Sequence, residues 1–212
     1  MWAEILPFIN RIEPGMRVLD VGCGNGRLIP ELSGTKVYYT GIDFSEVLIE
    51  KAKSRFPKRR FMVRDITTDE GWAGIGKYDA VFCLGVMHHI PDRNRQHHLL
   101  QHMYHHTKPG GFVVISVWNL WSMRWWKLHL KQLWKKLSYG NLSYIWVPYS
   151  VSDGNKVVKQ VMRFCKAYMP GELLRLVRQV GYKVPVFYYA KRGVTHISMF
   201  RGENFVVLGE KN

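Results

Sequence analysis

Through its first half the chain alternates short, nearly continuous apolar runs with longer amphipathic stretches. Residues 17–21, 37–43, 60–65, 78–84 and 112–118 read as strands. Runs of this kind suit parallel strands covered on both faces rather than strands with one wet side. Between them, residues 26–32, 45–55 and 92–107 read as helices, with Ser45 and Asp92 as N-caps. Strand and helix in alternation predict an α/β fold with a doubly wound, mostly parallel sheet. Lys108-Pro109-Gly110-Gly111 reads as a breaker between the third helix and the fifth strand.

Beyond Trp118 the pattern changes. Residues 119–137 form a basic, tryptophan-rich helical stretch, and residues 140–159 read as turn-rich and irregular. A helix at 171–180 and strands at 182–190 and 204–208 close the chain. The simplest organisation is one domain over residues 1–212, with residues 119–168 inserted between sheet elements.

Composition sharpens this in two ways. The chain has 212 residues, 47% of them hydrophobic, enough for a full core and too many for a disordered chain. Its three cysteines cannot build a disulfide framework and have no paired metal-ligand spacing, so a reducing cytoplasm is the expected location. The formal charge of +15 is placed unevenly: residues 1–111 carry 15 Lys and Arg against 12 Asp and Glu, residues 112–212 carry 16 against 4. Such asymmetry points to a polyanionic partner, nucleic acid or an anionic membrane surface.

The most informative segment is Val18-Leu19-Asp20-Val21-Gly22-Cys23-Gly24-Asn25-Gly26. A buried strand runs into glycines at alternate positions, so a ligand can approach bare backbone at the carboxyl edge of the sheet. The second strand ends in Asp43, 21 residues after Gly22, where a carboxylate can accept from both hydroxyls of a ribose. The third ends in Asp65-Ile66, suited to an adenine amino group and ring. A pyrophosphate-bearing dinucleotide would want a third glycine where Arg27 stands. S-adenosylmethionine, which has no pyrophosphate, fits better.

With Tyr78-Asp79-Ala80-Val81 and Lys108-Pro109-Gly110-Gly111, these segments resemble the ordered motifs of class I S-adenosylmethionine-dependent methyltransferases over about residues 15–118. The resemblance implies a Rossmann-like sheet of seven strands, the last antiparallel. It also implies that Asp20, Gly22, Gly24 and Gly26 line the methionine end, Asp43 holds the ribose, and Phe44, Asp65 and Ile66 the adenine. Leu84, Gly85 and His89 would lie near the transferring methyl.

A finer resemblance comes from Gly85-Val86-Met87-His88-His89-Ile90, Val117-Trp118, Pro148-Tyr149, Arg163-Phe164-Cys165-Lys166-Ala167-Tyr168 and Gly171-Glu172-Leu173. These resemble the tRNA methyltransferases that act on carboxymethylated wobble uridine, with Lys166 in place of the family histidine and Tyr149 in place of its tryptophan. Eukaryotic members work with a small zinc-binding activator, which the resemblance implies as a partner.

Methyl transfer from a sulfonium asks mainly for alignment and exclusion of water. A carboxylate acceptor would need cationic clamps, for which Arg95 and Arg163 are candidates. A hydroxyl or amine would need a base, His88 or His89. Trp118 and a basic stripe of Arg124, Lys127, Lys131 and Lys135, spaced 3, 4 and 4 on a helix, are candidates for substrate contact. Beside that stripe Met123, Trp126, Leu130, Leu133 and Leu137 form an apolar one, so RNA and a membrane surface both remain open. The alternative function is a small-molecule or lipid methyltransferase using this segment as a lid or anchor. His98, His102 and His105 share a helix face, but no Cys or carboxylate of that helix completes a ligand set. No metal is expected there.

Overall fold

A computed structural model describes residues 3–138, 140, 142–152 and 157–212. Five parallel strands form one side of the main sheet: β1 (Arg17–Val21), β2 (Tyr38–Asp43), β3 (Arg60–Val63), β4 (Tyr78–Leu84) and β5 (Thr107–Trp118). A separate pair, β6 (Tyr144–Ser152) and β7 (Val157–Lys166), is an antiparallel two-stranded sheet. The chain returns through β8 (Lys183–Lys191), β9 (Val194–Ile197) and β10 (Asn204–Glu210). The main sheet has the order β3-β2-β1-β4-β5-β10-β8-β9, with β10 antiparallel to both neighbours.

It therefore has eight strands where seven are expected. The extra strand, β9, pairs back on β8 through a tight turn at Arg192 and Gly193, whose φ values are 50° and 86°. Two successive positive φ values give the turn that matches strand twist, and arginine is an unusual occupant of the first position.

The helices are α1 (Leu6–Ile9), α2 (Glu46–Arg55), α3 (Arg93–His106), α4 (Trp126–Lys131), α5 (Leu133–Ser138) and α6 (Pro170–Gln179). Ser45 Oγ accepts from Leu48 N to cap α2, and Asp92 accepts from Arg95 N at 2.8 Å to cap α3. Alternate strand residues feed two cores. Leu19, Val81, Val113 and Val207 pack with Leu99 and Met103 of α3 and Leu173 and Val177 of α6. Val18, Phe82, Val114 and Val206 pack with Phe8, Leu28 and Ile49 on the opposite face. Burial on both faces explains the unbroken apolar runs.

Four expectations need correction. Residues 26–32 are a turn followed by a single 3-10 turn at Ile29–Leu32, where Pro30 lacks an amide to donate. Thr107–Trp118 is one strand that absorbs Lys108-Pro109-Gly110-Gly111 through a register shift, with Lys108 paired to Asp79 at 2.8 Å. Residues 119–137 are a turn plus two short helices, because Asn119 donates from Nδ2 to the carbonyls of Met199 and Gly202 and holds the turn to the sheet. Most of 140–159 belongs to the β6–β7 hairpin; residues 153–156 of that stretch lie outside the described residues.

The hairpin has a small core of its own: Ile145, Val147, Cys165 and Ala167 with Leu120, covered by Trp118, Trp121, Trp125 and Leu128. It reaches the segment after β4 through Tyr168, whose hydroxyl donates to Met87 O, and Tyr144, whose hydroxyl donates to Pro91 O. A second sheet is thus set over the carboxyl ends of β4 and β5. Packing near β1 is tight. Gly41 stands opposite Asp20, and a Cβ there would lie 2.8 Å from Cys23 Sγ, 2.9 Å from Phe61 and 3.0 Å from the Tyr39 hydroxyl. Gly41→Ala should therefore lower stability by about 1–3 kcal/mol, read as a lower denaturant midpoint with an unchanged slope.

Candidate active site

The carboxyl ends of β1 to β4 meet at one edge, where strand order reverses between β1 and β4 and ligands bind in sheets of this type. The turn after β1 carries Gly22, Gly24 and Gly26 with φ of 73°, 55° and 80°. At such angles a side chain is strained whatever the space around it. Gly22 N and Cys23 N both donate to Ile42 O, which pins the turn to β2. A Cβ at Gly24 would meet nothing within 4 Å, so bare backbone faces open space.

Asp43 ties this edge together. One carboxylate oxygen accepts from Gly24 N and the other from Ser45 N, each at 2.9 Å. Phe44, next along, is 78% exposed, an apolar ring held out beside the carboxylate. Asp65 bends its own loop by accepting from the Thr67 backbone and hydroxyl, while Ile66 is buried beneath it with its carbonyl held by Trp72 Nε1. Leu84 is buried at the end of β4, and Gly85 turns the chain with φ 73°.

Asp20 sits behind the glycine turn, 3% exposed, accepting from the Tyr39 hydroxyl at 2.8 Å. Burial raises its pKa to about 7, against the opposing pull of that hydrogen bond and of the Arg27 charge. A cation delivered to the turn would draw Asp20 to its ionised form.

Past Gly85 the chain brings a histidine pair against Trp118. His88 is wholly buried, with Nδ1 accepting from Trp118 N at 3.4 Å and Nε2 without a hydrogen-bond partner. Burial pushes its pKa well below the ordinary histidine value, and the charges of His89 and Arg163 push the same way. His89 lies 3.5 Å from Cys165 Sγ through Nδ1, and its pKa falls to about 4 through burial and then the Arg163 charge. Both imidazoles are neutral at physiological pH. Trp118 packs against both rings, at 4.6 and 5.4 Å. Arg163 on β7 stacks 3.7 Å over the Tyr149 ring, and no Asp or Glu among the described residues pairs with it.

A family model described as a methyltransferase domain matches residues 2–212. The chain belongs to that methyltransferase family. Its cofactor is S-adenosylmethionine. The methyltransferase is 29% identical over 117 residues to a tRNA (carboxymethyluridine(34)-5-O)-methyltransferase of Arabidopsis thaliana, covering 55% of this chain and 28% of that one. It is 34% identical over 108 residues to a ubiquinone biosynthesis O-methyltransferase of Alkalilimnicola ehrlichii, covering 50% of this chain and 42% of the other. The matches thus span less than half of either relative. In fold it is similar to a SAM-dependent methyltransferase of Methanosarcina mazei, with a TM-score of 0.74 at 16% identity, covering 97% of each chain.

Not every residue expected at the methyltransferase site gathers there. Arg95 is exposed at the start of α3, and no contact joins its side chain to Arg163 or the histidine pair. Arg124, Lys127, Lys131 and Lys135 are all exposed, but Arg124 lies in the turn before α4, within 3.9 Å of Glu203. Two contributors escape sequence reasoning: Tyr39, which holds Asp20, and Cys165, which meets His89. Gly41 opposite Asp20 is the signal for the first, since a glycine inside a strand marks close approach.

Two outcomes follow for the cofactor half. Asp43→Ala should weaken donor binding by about 1.5–3 kcal/mol, roughly 10- to 150-fold by calorimetry, with Asp43→Asn intermediate. Asp20 holds its proton longer folded than unfolded, so folding loses stability as pH rises from 3.8 to about 7. Asp20→Asn should abolish that component: melting temperatures of variant and parent, without donor, should diverge in the variant's favour as pH rises through this window.

Proposed function

We propose that this methyltransferase esterifies a carboxylate, that of a carboxymethylated wobble uridine in tRNA. Arg163 carries the reading: a half-buried guanidinium beside two neutral imidazoles, with no acidic partner among the described residues. A carboxylate accepts two parallel hydrogen bonds from a guanidinium, which orients it as well as binding it. It is also ionised at neutral pH, so no proton has to leave before its oxygen reacts. His89, with a pKa of about 4, is a poor base for a hydroxyl, and wholly buried His88 is a worse one.

When bound, S-adenosylmethionine supplies an activated methyl on a sulfonium. The open face of Gly24 and the Asp43 carboxylate would hold its nucleoside and amino-acid parts, and exposed Phe44 would cover the adenine. Asp20 then serves as a buried anion facing the positively charged donor. Trp118 and the hairpin exclude water from the acceptor side. Exposed Lys127, Lys131 and Lys135 can meet phosphates, and Trp134, 84% exposed, offers a stacking face. The Arabidopsis relative's name agrees with this acceptor. A small zinc-binding activator belongs to the same reading.

One observation favours a second reading. Met123, Leu130, Leu133 and Leu137 are exposed on the same segment, and aliphatic groups give bases nothing to stack on. A lid for an apolar acceptor, or a membrane-surface anchor, would use them, in keeping with the relative named for ubiquinone biosynthesis.

The two separate cleanly. Radiolabelled donor should label tRNA from cells lacking the protein, and mild base should release the label as it would from an ester. Arg163→Ala should lower kcat/KM by roughly 10- to 150-fold, while His89→Ala lowers it less than about tenfold. Label on a small phenol or acid with tRNA untouched would overturn the tRNA reading. Sedimentation with anionic vesicles, lost on Leu130→Ser with Leu133→Ser, would establish the membrane version instead.

A further inference from the structure

The loop between β3 and β4 meets α3 away from the acceptor pocket. There Asp69 Oδ1 lies 2.8 Å from His102 Nε2 and 3.5 Å from His98 Nε2. The two histidines stand one turn apart on α3, a spacing that puts both rings on one face. The carboxylate absent from the helix arrives from another element. Sequence spacing on α3 alone cannot show it.

We infer that Asp69, His98 and His102 form a binding site for a divalent transition-metal ion of the zinc class. Two ring nitrogens and a carboxylate oxygen are the donor set such ions take, and imidazole selects them over magnesium or calcium. At metal–ligand distances of about 2.0–2.2 Å, ligand atoms of a tetrahedral site stand about 3.3–3.6 Å apart. Here all three lie within 4.8 Å of one another; the 3.5 Å separation of Asp69 from His98 falls in that range, and the 2.8 Å one from His102 lengthens as the exposed carboxylate turns. The Asp69 side chain is 78% exposed and can adjust at little cost.

Hydrogen bonding alone leaves the arrangement incomplete. His102 bonds to Asp69, but His98 Nε2 is a buried atom that only approaches Asp69 and has no hydrogen-bond partner among the described residues. A buried nitrogen without a partner needs an explanation, and a metal at the shared point supplies one. Trp72 stacks on His102 with ring centroids 5.1 Å apart and 9° between planes, which fixes the ring that must face the ion. The other cluster with ligand potential, His88, His89 and Cys165, sits against the Arg163 charge, which opposes a second cation.

The site has a consequence for the donor. Asp69 belongs to the same short loop as Asp65 and Ile66, and Trp72 grips Ile66 through its carbonyl. An ion bridging Asp69 to α3 would clamp the adenine side of the pocket. Binding of ion and donor would then reinforce each other reciprocally. None of this depends on the identity of the methyl acceptor.

The test is titration of the full chain, free of any histidine tag, with zinc by calorimetry and with cobalt by visible absorption. One ion should bind per chain with a tetrahedral cobalt spectrum, and zinc should raise the melting temperature. His98→Ala, His102→Ala and Asp69→Asn should each weaken binding by at least about tenfold, and His97→Ala should leave it intact. Asp69→Asn alters only an exposed side chain, so it decides the matter even if His102→Ala loses the Trp72 stack and fails to fold. Undiminished affinity in Asp69→Asn, equal loss in His97→Ala, absence of binding, or a cobalt–thiolate band reporting Cys165 would overturn the site.

Discussion

A strip of backbone that must stay bare, and must be held still while bare, governs this molecule. Positive φ at Gly22, Gly24 and Gly26 curls the chain away from β1, and two amides of the turn share the carbonyl of Ile42. Asp43 completes the arrangement by accepting from Gly24 on one oxygen and Ser45 on the other. One carboxylate therefore sets both the glycine turn and the start of α2. The order β3-β2-β1-β4 brings these parts to a single edge. Buried strands on either side keep the edge rigid.

Charge is sorted across that edge. On the donor side Asp20 is buried and its ionisation is suppressed, so it is an anion in waiting for a positive ligand. Past Gly85 the two histidines are neutral, and Arg163 is a cation with no carboxylate among its described neighbours. Its guanidinium lies flat on Tyr149, which limits its freedom without neutralising it. Lys166, also on β7, is already committed to Glu172 at 2.5 Å, leaving Arg163 as the cation with capacity to spare.

Much of this was legible in the chain because the relevant signals are local. Continuous apolar runs marked β1 to β5, Ser45 and Asp92 marked helix starts, and alternate glycines marked the turn after β1. What escaped was set by distant contacts. The 140–159 stretch read as turn-rich and irregular, yet much of it pairs in a two-stranded sheet, all edge, where Pro148 is tolerated. Arg192 hid the turn before β9 because asparagine or glycine usually fills its place. The 119–137 stretch had helical spacing throughout, but its first residues are captured by Asn119 and the carbonyls of 199 and 202. Asp69 joins His98 and His102 only once the sheet has folded.

Residues 119–168 are where the proposed acceptor reading rests, since they carry Arg163 and the exposed basic helices. Relatives named for a tRNA base and for a quinone match this chain with similar identity over about half its length, so what they share does not discriminate between acceptors. Residues 119–168 have inner and outer faces of different character. Inward, Lys136 is buried and donates to His129 Nδ1 and Leu142 O, which leaves the other ring nitrogen of His129 to donate to Leu120 O. Burial lowers the Lys136 pKa to about 8, and Gln132, which donates to Trp146 O and accepts from Trp146 N, ties α4 and α5 to the hairpin bearing Arg163. Outward, lysines alternate with exposed leucines and Trp134, an apolar cost that the fold itself does not recover. That surface is held firmly from beneath and left apolar above.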